Sequence, residues 1–158
     1  KKLLSDNNIL YTKGCTIGED TEFLMKALFH AKSVNSVSET LVYYVQRKDS
    51  ETKFTSLKVF NSVGAMKRVT KYLERQKADD ETLSLMKTRR IPETYISKFT
   101  ILSRGGHKEF IVKAVKNKKI KEQLLAYEPE SLKEKIKLKV LLYFPRLFYF
   151  YYNKIKNW

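Results

Sequence analysis

From Ser56 onward, apolar residues recur at the three- and four-residue intervals of an α-helix, and this period constrains the fold more than any other feature of the chain. Leu57, Phe60, Val63, Gly64, Met66 or Lys67, Val69 and Leu73 define one long amphipathic helix ending near Gln76–Lys77. Asp79–Asp80 can cap a second helix that runs through Leu83 and Met86 and ends before Pro92. A third is expected from Glu93 to Leu102, stopped by Gly105–Gly106, and a fourth from Lys108 to about Tyr127, with Asn117 as a candidate break. Pro129 and Ser131 mark a fresh start.

The first third of the chain reads differently. Residues 1 to 18 are irregular, with a short strand expected at Ile9-Leu10-Tyr11 and turns at Gly14 and Gly18. A helix begins near Glu19–Asp20, where Phe23, Leu24, Ala27, Leu28 and Ala31 repeat at helical spacing and the early Glu19, Asp20 and Glu22 suit the positive end of a helix dipole. Thr40-Leu41-Val42-Tyr43-Tyr44-Val45 is β-branched and aromatic and is the strongest strand signal, followed by a polar loop from Gln46 to Lys53. The expected class is therefore α+β, mostly α, in three parts: residues 1–55, a helical extension over 56–130, and a basic aromatic amphipathic helix over 131–158.

A hydrophobic fraction of 42% excludes a wholly disordered chain, while 32 Lys+Arg against 17 Asp+Glu leave a net charge of +15 and imply an anionic partner. Cys15 is the single cysteine, so no internal disulfide forms and a reducing compartment fits. The apolar run at Leu3–Leu4 is too short for a signal peptide, and without an initiator Met the sequence reads as a chain entered part-way through.

The stretch Thr16-Ile17-Gly18-Glu19-Asp20-Thr21-Glu22-Phe23-Leu24, followed by Tyr43-Tyr44-Val45-Gln46-Arg47-Lys48-Asp49-Ser50, resembles the segment that closes the catalytic half of family 2 glycosyltransferases. There a Glu-Asp pair opens a helix after a mobile loop, and a strand with paired tyrosines, a basic residue and a Ser follows. The resemblance implies that residues 1–55 are the C-terminal remnant of a GT-A α/β domain, from an inverting enzyme that moves a sugar from a nucleotide-sugar onto a surface glycan or lipid-linked acceptor. By the same resemblance Asp20 is the general base that deprotonates the acceptor hydroxyl, and Glu19 orders the loop or positions the acceptor. Arg47, and less so Lys48, lies near the leaving diphosphate, where a guanidinium pairs with phosphate oxygens. Mg²⁺ or Mn²⁺ would be held by an Asp-x-Asp motif that this sequence lacks, as it lacks the preceding βαβ units, so the isolated chain should not turn over. Absence of a Gln-x-x-Arg-Trp motif points to a non-processive, hexosyltransferase-type parent in bacterial polysaccharide assembly.

The same residues have plainer readings. Glu-Asp before an amphipathic helix is ordinary N-terminal helix chemistry. Cys15, His30 and His107 form no metal-ligand spacing and are expected to be structural or solvated. Arg104-Gly105-Gly106-His107-Lys108 follows no strand, so a helix stop accounts for it better than a phosphate loop.

At the end of the chain, Leu132, Ile136, Val140, Phe144, Leu147, Tyr151 and Ile155 share one helical face, with Lys133, Lys135, Lys137 and Lys139 around it. The run is interrupted at Pro145–Arg146 and falls short of the ~20 apolar residues that span a bilayer. Basic, aromatic amphipathic helices lie in the headgroup plane instead, so Lys133, Lys137, Lys139, Tyr149, Tyr152 and Trp158 are candidate membrane contacts on the inner, cytoplasmic face of a plasma membrane. Two alternatives stay open for the tail: packing on the remainder of a parent domain, and contact with a second copy of the chain. For the whole chain the rival class is a helical nucleic-acid-binding or membrane-docking module without catalysis, supported by the Lys-rich stretch from Lys113 to Lys121.

Overall fold

The helical period is realised in a computed structural model that describes residues 1–43, 45 and 56–155. Two helices precede the main bundle, α1 (Lys2–Asp6) and α2 (Glu19–His30). A 3₁₀ turn at Leu57–Phe60 leads into α3 (Asn61–Arg75), then come α4 (Asp80–Leu85), a π-helical turn at Met86–Arg90, and α5 (Ile91–Arg104). The chain continues as α6 (Lys108–Lys116), α7 (Lys118–Leu125), α8 (Leu132–Tyr143) and α9 (Pro145–Lys154).

Helix α5 is the axis, because Ile91, Tyr95, Ile96, Phe99 and Leu102 are all buried and it meets α3, α6, α7 and α9. Phe99, at 0% exposure, lies beside Phe60 from the 3₁₀ turn, which also reaches Tyr95 and Phe110 at ring distances of 5.4 to 5.9 Å. On α3 the inward residue is Met66 and not Lys67, and Ala65 is buried next to Gly64. Asp79 caps α4 as expected, accepting from Thr82 N–H; Asn117, the candidate break, also caps α7 by accepting from Ile120 N–H, and Ser131 at the fresh start pairs reciprocally with Glu134 in a capping box. Gly106, at φ 84, ends α5 and lets His107 N–H reach the Leu102 carbonyl at 3.1 Å, so the Arg104–Lys108 segment is a helix stop.

Three expectations need correction. Pro92 does not end a helix: the helical path continues from α4 through the π turn into α5, with Pro92 in the first turn of α5. In α register the Thr88 carbonyl would face residue 92, where proline has no N–H to offer. That carbonyl accepts from Glu128 N–H at 3.0 Å, and Arg89 pairs with both Glu93 and Glu130, so the loop after α7 covers the irregular turn. The turn before Pro92 thus becomes a docking point for that loop, and the proline is not a stop.

The second correction concerns the α+β class and its α/β remnant, since no strand forms among the described residues. Ile9 is buried in a loop whose N–H bonds to the Leu4 carbonyl at 3.0 Å, and Leu10 and Tyr11 are exposed. Residues 40–43 and 45 form no ladder, and Val42 and Tyr43 are 82% and 83% exposed. Strand propensity expresses itself only on a pleated, half-buried surface, and no neighbouring strand is present among the described residues to provide one.

The third correction is to the tail, which is a helical hairpin and not one continuous amphipathic helix. Phe144, which precedes proline, leaves helical geometry at φ −131 and ψ 56, as the residue before a proline tends to do. The bend also rearranges the faces. Leu138, Leu141 and Phe148 enter the core, while Leu132, Ile136, Phe144, Leu147 and Tyr151 of the expected stripe remain exposed. Asn153 of α9 donates to the Ser103 carbonyl of α5 at 2.8 Å and fixes the hairpin against the axis.

If α5 is the axis, Phe99→Ala should cost about 3–5 kcal/mol of unfolding free energy, as removal of a fully buried Phe does, whereas Phe144→Ala should cost well under 1 kcal/mol. Urea denaturation followed by circular dichroism measures both, and equal losses would show the core assigned to the wrong helix.

Candidate functional site

The candidate site is built at the start of α2, where Gly18 allows two helices to approach. Gly18 has φ 90, and a Cβ there would lie 2.9 Å from both Cα and Cβ of Ser62. A larger residue would be strained in its backbone and would collide with the first turn of α3. This close contact sets α2 against α3 and leaves Glu19 and Asp20 at a helix N-terminus with no side-chain cap.

Asp20 is exposed, and its Oδ1 accepts from the Thr21 backbone N–H at 2.6 Å and from the Thr21 hydroxyl at 3.3 Å. Glu19 is half-buried, with Oε2 enclosed and without a hydrogen-bond partner among the described residues. The two carboxylates are therefore adjacent in sequence but differ in surroundings: Asp20 faces outward, and Glu19 lies against the protein. Arg47 and Lys48, the expected diphosphate contacts, lie outside the described residues, as does Trp158.

Glu22, two residues beyond Asp20, organises this region. Its side chain is only 2% exposed, and Oε1 accepts from Lys26 Nζ at 2.6 Å and from the Thr12 hydroxyl at 2.8 Å. Oε2 accepts from the Nε–H of Arg68 on α3 at 2.9 Å, with Arg68 Nη2 in ion-pair contact at 2.7 Å. Arg68 Nη2 also lies 3.0 Å from the Cys15 sulfur, so one carboxylate ties the N-terminal loop, α2 and α3 together. Burial by itself would raise the carboxyl pKa. The hydrogen bonds from Arg68, Lys26 and Thr12, with the charge of Lys26, outweigh it and hold the pKa below the ordinary value.

Outside this network α2 is bare. Leu24 and Leu28, one turn apart, are exposed, as are Leu10 and Tyr11, with Tyr11 stacked on Phe23 at 4.4 Å. Val34, Val37, Leu41, Val42 and Tyr43 continue the uncovered apolar series. A concentration of exposed large apolar side chains marks a surface that meets another protein surface or a ligand. His30 faces the other way, with Nε2 2.7 Å from the Tyr72 hydroxyl on α3, and so has the structural role expected of it.

The second cluster of expected residues is divided by the hairpin bend. Lys137 and Tyr152 are brought together, the ammonium 4.9 Å from the ring centroid, and Lys133 lines the same groove between α8 and α9. Tyr149 packs partly into the core beside Phe150, at 5.4 Å between ring centroids. Lys139 is exposed and lines no part of the groove. Among the described residues no helix is long and apolar enough to cross a membrane, and no three His, Cys, Asp or Glu side chains are grouped to hold a metal ion.

Of the Glu22 network, the sequence carried one legible sign: Glu22 and Lys26 stand at i and i+4, the spacing of a helical ion pair. Arg68, 46 residues further on, gave none. Comparison with protein-family models, curated proteins and solved structures yields no match to this chain.

Glu22→Gln should destabilise the protein by about 2 kcal/mol, less than the ~3–5 kcal/mol for breaking a fully buried pair because the Arg68 side chain is 39% exposed and can rehydrate. Its depressed pKa means that the stabilisation is complete above the unfolded value near 4.5 and fades as pH falls through the lower folded value. Stability measured from pH 7 to pH 2 should therefore show a steeper acid loss in the native protein than in Glu22→Gln; parallel curves would contradict this role.

Proposed function

We propose that this chain is the acceptor-side, C-terminal part of an inverting, non-processive glycosyltransferase, in which Asp20 is the general base. Support comes from one observation above all. The Glu-Asp pair opens an outward-facing helix N-terminus, on a helix held rigidly from behind by Glu22 and left apolar and uncovered in front. A catalytic base needs that combination: a carboxylate open to substrate, on a rigid element, at the border of a surface that a second body closes.

In this role Asp20 accepts the proton of an acceptor hydroxyl as that oxygen attacks the anomeric carbon, and the carbon's bond to the nucleoside diphosphate breaks. Glu19, with one oxygen enclosed, positions the loop before α2 or the acceptor. The uncovered run from Val34 to Tyr43 is the natural seat of the donor-binding half. Arg47 and Lys48 belong to the diphosphate side of this scheme by resemblance alone. Among the described residues no group of carboxylates is set to hold Mg²⁺ or Mn²⁺, which the resemblance assigns to an upstream Asp-x-Asp. The exposed aromatics and lysines of the α8–α9 hairpin fit attachment at the inner face of a plasma membrane, where a lipid-linked acceptor would be met.

A second reading has its own support, since Lys113, Lys116, Lys118, Lys119 and Lys121 are all exposed at the α6–α7 corner. Polyanion binding there would appear as strongly salt-dependent affinity for oligonucleotides in the absence of any transferase activity.

With an upstream donor-binding half restored and UDP-sugars supplied with Mn²⁺, Asp20→Asn should lower kcat by roughly 10²–10⁴-fold, the usual contribution of a positioned base. The thermal midpoint should not move, because Asp20 is exposed. Full turnover in Asp20→Asn would remove Asp20 from the mechanism.

A further inference from the structure

The bend at Phe144–Pro145 folds α9 back along α8 and opens a groove of about 370 Å³ between them, facing away from the core. Its walls are Ile136 and Val140 on one helix and Leu147, Phe148, Tyr151 and Tyr152 on the other. One wall also carries two cations, Lys133 and Lys137, a turn apart. Lys137 also lines a neighbouring, more polar cleft of about 350 Å³, where Arg104, Ser97 and Thr100 are found. An apolar channel of this size with a few convergent polar groups has the form of a small-molecule site and not merely of an adhesive surface.

The charges are arranged for an anion. Burial lowers the Lys137 pKa, and the neighbouring positive charges of Arg104 and Lys133 push it the same way. Among the described residues neither Lys133 nor Lys137 forms an ion pair. The two carboxylates of the polar cleft are committed elsewhere: Glu134 accepts from the backbone N–H groups of Glu130 and Ser131, and Glu93 faces Arg89. Lys137 thus lines both cavities, with Lys133 beside it in the groove and Arg104 in the cleft, and a phosphate there would relieve the repulsion among like charges.

We propose that the α8–α9 groove binds one phosphate-headed amphiphile, its hydrocarbon chain between Ile136, Val140, Leu147 and Tyr151 and its phosphate at Lys137, Lys133 and Arg104. A polar group beyond the phosphate would enter the cleft lined by Ser97 and Thr100. The exposed Leu132, Tyr143, Phe144 and Phe150 around the hairpin suit the bilayer from which such a molecule is drawn. The groove shares the α8–α9 hairpin with the membrane attachment proposed above, but none of its residues belongs to the α2 region, so its test does not depend on the role given to Asp20.

Isothermal titration of the whole chain with dodecyl phosphate below its micellar concentration tests this, with dodecyl maltoside and inorganic phosphate as the two half-ligands. Saturable binding of one dodecyl phosphate per chain is expected, at least tenfold tighter than either half-ligand. Lys133→Gln with Lys137→Gln should weaken it at least tenfold, and Leu147→Asp, at an exposed position that tolerates substitution, should abolish it with the circular dichroism spectrum unchanged. Lys135→Gln with Lys139→Gln removes the same charge outside the groove and should have no effect. Equal binding of dodecyl maltoside or of inorganic phosphate would overturn the proposal, as would an equal loss in the Lys135/Lys139 pair.

Discussion

The arrangement of the N-terminal third depends on one buried carboxylate. Glu22 gathers Thr12, Lys26 and Arg68, and through Arg68 the Cys15 sulfur, so loop, α2 and α3 are fastened at a single point. Hydrophobic contact alone would leave α2 free to rotate, because apolar attraction has no direction and both faces of α2 carry apolar residues. A carboxylate with hydrogen bonds on both oxygens has direction, and it selects the orientation that turns Asp20, Leu24 and Leu28 outward. Gly18 adds the steric half of the same constraint, since a Cβ in its place would come within 2.9 Å of Ser62.

The helices of the main bundle were largely legible because their signals are local. Periodicity placed α3, α5 and α6–α7, Asp79 and Ser131 announced helix starts by identity and spacing, and Asn117 marked the break between α6 and α7. What escaped was whatever depends on a partner remote in sequence. Pro92 reads as a stop until Glu128 supplies the N–H that the Thr88 carbonyl receives from across the loop. Thr40–Val45 reads as a strand on propensity, but a strand is a relation between segments, and no pairing segment is present among the described residues. Of the candidate site, Glu19 and Asp20 were visible as a motif, whereas the group that holds them in place was not, since Arg68 is recognisable as a partner only once α2 and α3 are packed.

The tail shows how a single proline changes the meaning of a helical stripe. Read without a bend, Leu132 through Ile155 forms one apolar face, and either that face is core or it is surface. Helix α8 already turns Leu138 and Leu141 inward and leaves Leu132 and Ile136 exposed, and the turn at Phe144–Pro145 sets the second half so that Phe148 is buried while Leu147 and Tyr151 are not. Core packing and an outward apolar surface coexist because they use different residues of the same hairpin.

The net charge of +15 is spread over many exposed lysines, and such an excess destabilises the compact state through self-repulsion. At most sites water and salt screen that cost. Lys137 is an exception: it is partly withdrawn from water, its ammonium lies 4.9 Å from the centroid of the Tyr152 ring, and the charges of Arg104 and Lys133 act on it. A lysine held there without a carboxylate gains little from the fold beyond the ring contact. Replacement by an apolar residue would relieve the repulsion, and the cation is better accounted for by what it can attract than by what it stabilises. Its position on the wall shared by a polar cleft and an apolar groove then suggests a molecule with both characters, and a phosphate is the group that Lys137 with Lys133 on one side and Arg104 on the other would select.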